Sequence, residues 1–178
     1  MREIYFDNSA TTKPYPEVVE LMTKTLTEDY GNPSSKHTKG FEAEKYFRHA
    51  REQVAATLKV KPKEIIFTSG GTESNNTVIF GTAMAKRKQG KHIISSAFEH
   101  AAIYRPLDVL VELGYEVTYL PVDAKGHISL EDLRTAIRPD TILVTIMTIN
   151  NEMGAIEPIE DIGRIVKEQN PNTWFHTD

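Results

Sequence analysis

The sequence contains no cysteine. That excludes disulfides, thiolate metal sites and any thiol nucleophile supplied from within these 178 residues. There is no large surplus of one charge. The 21 basic and 25 acidic side chains leave a net charge of −4, whereas a nucleic-acid-binding domain usually carries a basic excess on one face. No apolar run approaches the ~20 residues a membrane span needs, and the opening MREIYFDNSATT lacks the basic-then-apolar order of a signal peptide. A cytoplasmic protein without membrane or nucleic-acid partners is therefore expected. Glycine (10) and proline (9) are too few for a collagen-like or linker-like chain, and there is no internal repeat or low-complexity tract. What is present is a 39% hydrophobic fraction over a length that fits one ordinary domain with a real core.

Apolar spacing predicts a helix over 16–30, with Pro16 at a first helical position and Val18, Leu21, Met22 and Leu26 on one face. Gly31-Asn32-Pro33-Ser34-Ser35 breaks it, and a second helix is expected over 39–58. Ile65 to Thr68 reads as a strand, ended by Ser69-Gly70-Gly71-Thr72 and followed by a helix to about Lys88. Further strands are expected over 92–96, 115–120, 141–147 and 174–178. Between them, helices are expected over 102–113, from a Ser129/Asp132 capping box, and from Pro158. The 141–147 run is uncharged throughout, as suits a central strand covered on both faces. Strands alternating with long helices imply an α/β fold, a mostly parallel sheet between helical layers.

In such sheets ligands bind beyond the carboxyl ends of the strands. Ser69-Gly70-Gly71-Thr72, Glu99-His100, Asn150-Asn151-Glu152 and Asp178 all fall there. Gly71 and Thr72 at a helix start can cradle a phosphate, or form a tight turn with Thr72 as N-cap. His100 is either catalytic or a structural residue capping Ala101-Ala102. The paired amides close a turn or hold a polar ligand. Asp178 is either a frayed end or a partner for a ligand cation or ring N–H. With no second histidine nearby and no cysteine, no metal site is expected. A phosphate cradle, a flat imidazole, an amide and a strand-end carboxylate together suit a phosphorylated aromatic cofactor, best of all pyridoxal 5'-phosphate.

Six stretches in order then carry a family resemblance. They are Tyr5-Phe6-Asp7-Asn8-Ser9-Ala10-Thr11-Thr12; Gly31-Asn32-Pro33-Ser34-Ser35 with His37 and Gly40; Ile66 to Asn76 through Ser69-Gly70-Gly71-Thr72; Glu99-His100; Asn150 to Gly154; and His176-Thr177-Asp178. The chain resembles the N-terminal half of the NifS/IscS-type cysteine desulfurases, class V members of the fold-type I pyridoxal-phosphate enzymes. The resemblance implies that Gly71 and Thr72 bind the cofactor phosphate, and that His100 stacks on the ring and serves as the acid/base group. It places Asn151 near the phenolic oxygen and Asp178 at the pyridine nitrogen. Residues 1–15 correspond to a segment bordering the substrate, and 16–178 to the first part of the large cofactor-binding domain. Gly71 stands where many relatives have alanine.

The implied activity converts L-cysteine to L-alanine, leaving an enzyme persulfide for a sulfur-acceptor protein of iron–sulfur cluster assembly or tRNA thiolation. A homodimer is implied as well. Alternatives are another class V activity, such as selenocysteine lyase or an aminotransferase, or a non-catalytic scaffold fragment. The family's cofactor-bearing lysine, its carboxylate-binding arginine and its sulfur-accepting cysteine have no counterpart here, and Lys13, Lys36 and Lys91 lie in no matching motif. Residues 1–178 mixed with pyridoxal phosphate and L-cysteine are accordingly expected to form no alanine above the free-cofactor rate. Alanine above that rate, or borohydride trapping of cofactor on one specific lysine, would show that the group is misplaced.

Overall fold

A computed structural model describes residues 3–178, which form two compact units divided between Phe67 and Thr68. The first unit holds α1 (Pro16–Thr27), α2 (Thr38–Leu58) and a short 3-10 turn at Pro62–Glu64. Pro16 occupies the first turn of α1 as expected, but the helix ends at Thr27 and buries none of its residues. The Gly-Asn-Pro-Ser-Ser loop has a packing reason for its glycines. A Cβ on Gly31 would lie 2.1 Å from the Lys39 carbonyl oxygen, and one on Gly40 would lie 2.3 Å from that of Ser35. His37 closes the same loop by accepting from the Gly40 N–H at Nδ1 (3.3 Å), which caps α2.

The expected strand at Ile65–Thr68 does not form. Its β-branched and aromatic residues suit a pleated surface, but a strand exists only against a ladder partner, and none pairs with it among the described residues. Ile66 is left 76% exposed.

The second unit is α3 (Gly71–Lys86), β1 (His92–Ser96), α4 (Ala101–Glu112), β2 (Glu116–Leu120), α5 (Leu130–Ala136), β3 (Thr141–Thr145), α6 (Ile159–Gln169) and β4 (Trp174–His176). The four strands pair in parallel in the order β2-β1-β3-β4. This is the α/β architecture expected, with every β1 and β3 residue buried. Successive residues point to opposite faces, and the core divides accordingly. Ile93 and Leu143 pack with Ile79 of α3 and with Ile103, Leu107 and Leu110 of α4. Ile94 and Val144 pack on the other face with Leu133 of α5 and with Ile162, Ile165 and Val166 of α6. Ser129 caps α5 by accepting from the Asp132 N–H (3.1 Å). β3 and β4 are shorter than expected, yet pairing continues past them through Ile146 N–H to His176 O (3.1 Å) and Thr148 N–H to Asp178 O (3.0 Å). No described helix is long and apolar enough to cross a membrane.

At the amino ends of the strands the polar groups satisfy one another. His92 bridges Thr141 and Thr118, and Arg138 spans Glu116 and Asp140. At the carboxyl ends, Glu99 ties the turns together. Its Oε1 accepts from Ser96 Oγ (2.6 Å) and from the Met147 N–H (3.0 Å), while its own N–H donates to Tyr104 Oη (2.8 Å). Oε2 is buried without a partner. Burial pushes this carboxyl from the usual 4.5 up to about 7, opposed by its two hydrogen bonds and aided by the Asp178 and Glu157 charges.

Below pH 4.5 the folded and unfolded chains both carry neutral Glu99. Between 4.5 and 7 the folded chain keeps a proton that the unfolded chain has released, so stability falls as pH rises through that window. The full effect is up to about 3 kcal/mol. Glu99→Gln removes the titration. Denaturant unfolding from pH 4.5 to 8 should show wild type losing stability relative to E99Q as pH rises, and parallel curves would contradict this.

Candidate functional site

Four chain segments meet beyond the carboxyl ends of the strands. The first is the start of α3. Gly70 is its N-cap and no side chain caps it, so Thr72 is a first-turn residue and not the cap. A Cβ on Gly70 or Gly71 would meet nothing within 4 Å, so the space beside the helix start is open, and the first-turn N–H groups have no partner within the helix. Glu73 folds back instead, accepting from Ser69 N–H (2.6 Å) and Ser69 Oγ (2.6 Å). Those bonds hold its carboxyl below the ordinary range and lock the turn. The result is a backbone cradle at the positive end of a 16-residue helix, with the Thr72 hydroxyl beside it.

The second segment is the turn between β1 and α4. His100 is exposed and caps α4, its Nδ1 accepting from the Ala102 N–H (3.1 Å). A ring nitrogen that accepts cannot carry the proton, so the neutral ring is protonated at Nε2. Thr72, Asn76 and Phe80 of α3 and His100, Ala101 and Arg105 line one hollow. The cradle and the imidazole therefore share a surface.

The third segment follows β3, where the paired amides have separate tasks. Asn150 is buried and fully engaged. Its Nδ2 donates to Phe98 O (3.1 Å), and its Oδ1 accepts from the N–H groups of Glu152 (2.9 Å) and Met153 (2.8 Å). It closes the turn and fastens it to the β1–α4 turn. Asn151, next to it, is exposed, leaving its amide available to a ligand. No hydrogen bond joins Asn151 to Thr72, His100 or Asp178 among the described residues.

Asp178 follows β4. Its main-chain oxygen accepts from Thr148 N–H (3.0 Å), and its Oδ2 accepts from Asn75 Nδ2 of α3 (2.9 Å). That bond joins residues 103 positions apart and brings the carboxylate to the helix that bears the cradle. Sequence reasoning gave Asn75 no role. The available signal was its place four residues before Ile79, a core residue of α3, where a buried amide needs a partner. Glu99 falls beyond β1 as expected, but its bond to the Met147 N–H, 48 residues away, has no signal in the sequence. Among the described residues no cluster of side chains could hold a metal ion.

The arrangement combines donors for an oxyanion group, a flat imidazole with a transferable Nε2 proton, and a carboxylate for a cation. Similar proteins show the same combination of fold and sequence. The chain is 50% identical over 177 residues to the cysteine desulfurase IscS of Dictyoglomus turgidum, covering 99% of this chain and 44% of that protein. It is also 50% identical to the cysteine desulfurase IscS of Methanosarcina thermophila, with 99% and 43% covered. It thus spans less than half the length of these curated relatives. Among solved structures, a NifS-like protein superposes with a TM-score of 0.97 at 44% identity, covering 99% of this chain and 49% of the other. SspA in complex with cysteine gives a TM-score of 0.92 at 40% identity, covering 98% and 50%. The class V aminotransferase family model matches residues 4–178, and the chain belongs to that family.

Proposed function

We propose that this chain supplies the phosphate- and ring-binding part of a pyridoxal-phosphate-dependent cysteine desulfurase. The observation that carries the proposal is the Asn75–Asp178 bond, which sets a carboxylate one helical turn from an uncapped, glycine-lined helix start. The residues present fit the cofactor at three points. A phosphate suits the Gly71 and Thr72 N–H groups and the Thr72 hydroxyl, an aromatic ring suits the imidazole of His100, and a pyridinium suits Asp178. The relatives named cysteine desulfurase, and the structure of SspA in complex with cysteine, support L-cysteine as substrate.

When bound, pyridoxal phosphate supplies an electron-withdrawing ring that stabilises negative charge beside the substrate nitrogen. Asp178 keeps the ring nitrogen protonated. His100, with Nδ1 committed to Ala102, moves protons through Nε2. Asn151 offers its free amide to the ring oxygen. Sulfur must pass to a cysteine thiolate outside these residues, since none lies within them. An enzyme persulfide formed there would then need an acceptor protein, which makes an iron–sulfur scaffold or a tRNA-thiolation enzyme the fitting partner class. A homodimer and a cytoplasmic location complete the proposal.

Two substitutions test it in the protein carrying the downstream lysine and cysteine. Thr72→Val removes one donor to a charged phosphate and should weaken cofactor affinity about ten- to a hundredfold, corresponding to roughly 1.5–3 kcal/mol, with little change in Tm. Unchanged affinity with a large stability loss would mean that Thr72 serves the fold alone. His100→Asn keeps a capping acceptor for Ala102 but cannot exchange a proton near neutral pH. Cofactor content should persist while alanine formation falls about 10²–10⁴-fold. Near-parental turnover would leave His100 a stacking residue, and loss of cofactor would make it chiefly a binding one.

A further inference from the structure

We propose that Asn75 is a positioning residue that holds Asp178 in place to protonate the cofactor ring. The inference rests on the pyridoxal-phosphate reading given above. Asn75 is 2% exposed on the second turn of α3, and its Nδ2 reaches Asp178 Oδ2 at 2.9 Å. The main-chain oxygen of Asp178 is pinned separately by Thr148. With the backbone fixed and Oδ2 occupied, rotation of the carboxylate is stopped and Oδ1 is the oxygen left for a ligand.

The chemistry of the donor matters as much as its position. A lysine or arginine at Asn75 would also orient Asp178, but it would neutralise the charge that a pyridinium needs. An amide donates to one oxygen and leaves the negative charge intact. Asn75 also follows Thr72 by three residues on one helix, a rise of about 4.5 Å. Thr72 serves the phosphate end, and Asn75 on the same helix orients the carboxylate that serves the nitrogen end.

The test uses pyridoxamine 5'-phosphate labelled with 15N in the ring, which forms no bond to lysine. In the wild-type protein the bound ring nitrogen should give the pyridinium chemical shift through pH 8. In Asn75→Leu it should lose its proton at least one pH unit lower, with affinity reduced about tenfold. Asn75→Ala, which helices favour, guards against a packing failure of leucine and should behave alike. If either variant folds and binds with wild-type affinity and an unchanged 15N titration, while Thr72→Val still weakens binding, Asn75 is a structural residue and the inference is overturned alone. If wild-type binding is indifferent to Thr72→Val and the bound nitrogen is neutral, the cofactor reading falls and the inference falls with it.

Discussion

Parallel pairing of β1 with β3, buried on both faces, is the constraint on which the second unit depends. Parallel strands need crossovers, and each crossover here is a helix that covers one face of the sheet. Every strand therefore ends at the same edge, and each following turn is delivered there. Ile93 and Ile94, adjacent in sequence, anchor the helical layers on opposite faces. Loss of the β1–β3 register would invert that division and scatter the turns that carry Glu99, His100, Asn150 and Asn151.

The two edges of the sheet use polar groups differently. At the amino edge His92, Thr118, Thr141, Arg138, Glu116 and Asp140 bond to one another and hold the fold. At the carboxyl edge a buried layer, Glu99 and Asn150, braces the turns, while Thr72, His100, Asn151 and Asp178 lie exposed above it. His100 belongs to both layers, since one ring nitrogen caps a helix and the other faces outward. The buried layer holds the turns, which leaves the side chains of Thr72, Asn151 and Asp178 exposed at the edge.

Much of this was legible in the sequence because it follows from local periodicity. The uncharged run from Thr141 announces a central strand, and the Ser129/Asp132 pair announces a helix start, since each signal lies within one element. Ile65–Thr68 misled because β-propensity describes a surface, whereas a strand needs a partner elsewhere in the chain. The strand-edge location of Thr72, His100, Asn151 and Asp178 was readable from topology. The tasks of their neighbours were not. Whether Asn150 or Asn151 closes the turn depends on which side chain reaches Phe98, 52 residues away. The tie from Asn75 to Asp178 spans 103 residues and leaves no periodic trace. Only a buried amide on an apolar helix face hinted at it.

The central claim is that the carboxyl edge of this sheet receives one ligand at both its ends, phosphate at α3 and ring nitrogen at Asp178. A crystal structure of the protein with pyridoxamine 5'-phosphate tests this most directly. The account predicts phosphate density against the N–H groups of Gly71 and Thr72, the ring against His100, and the ring nitrogen facing the Asp178 oxygen that Asn75 leaves free. Phosphate bound elsewhere, or a ring turned so that its nitrogen meets no carboxylate, would contradict it.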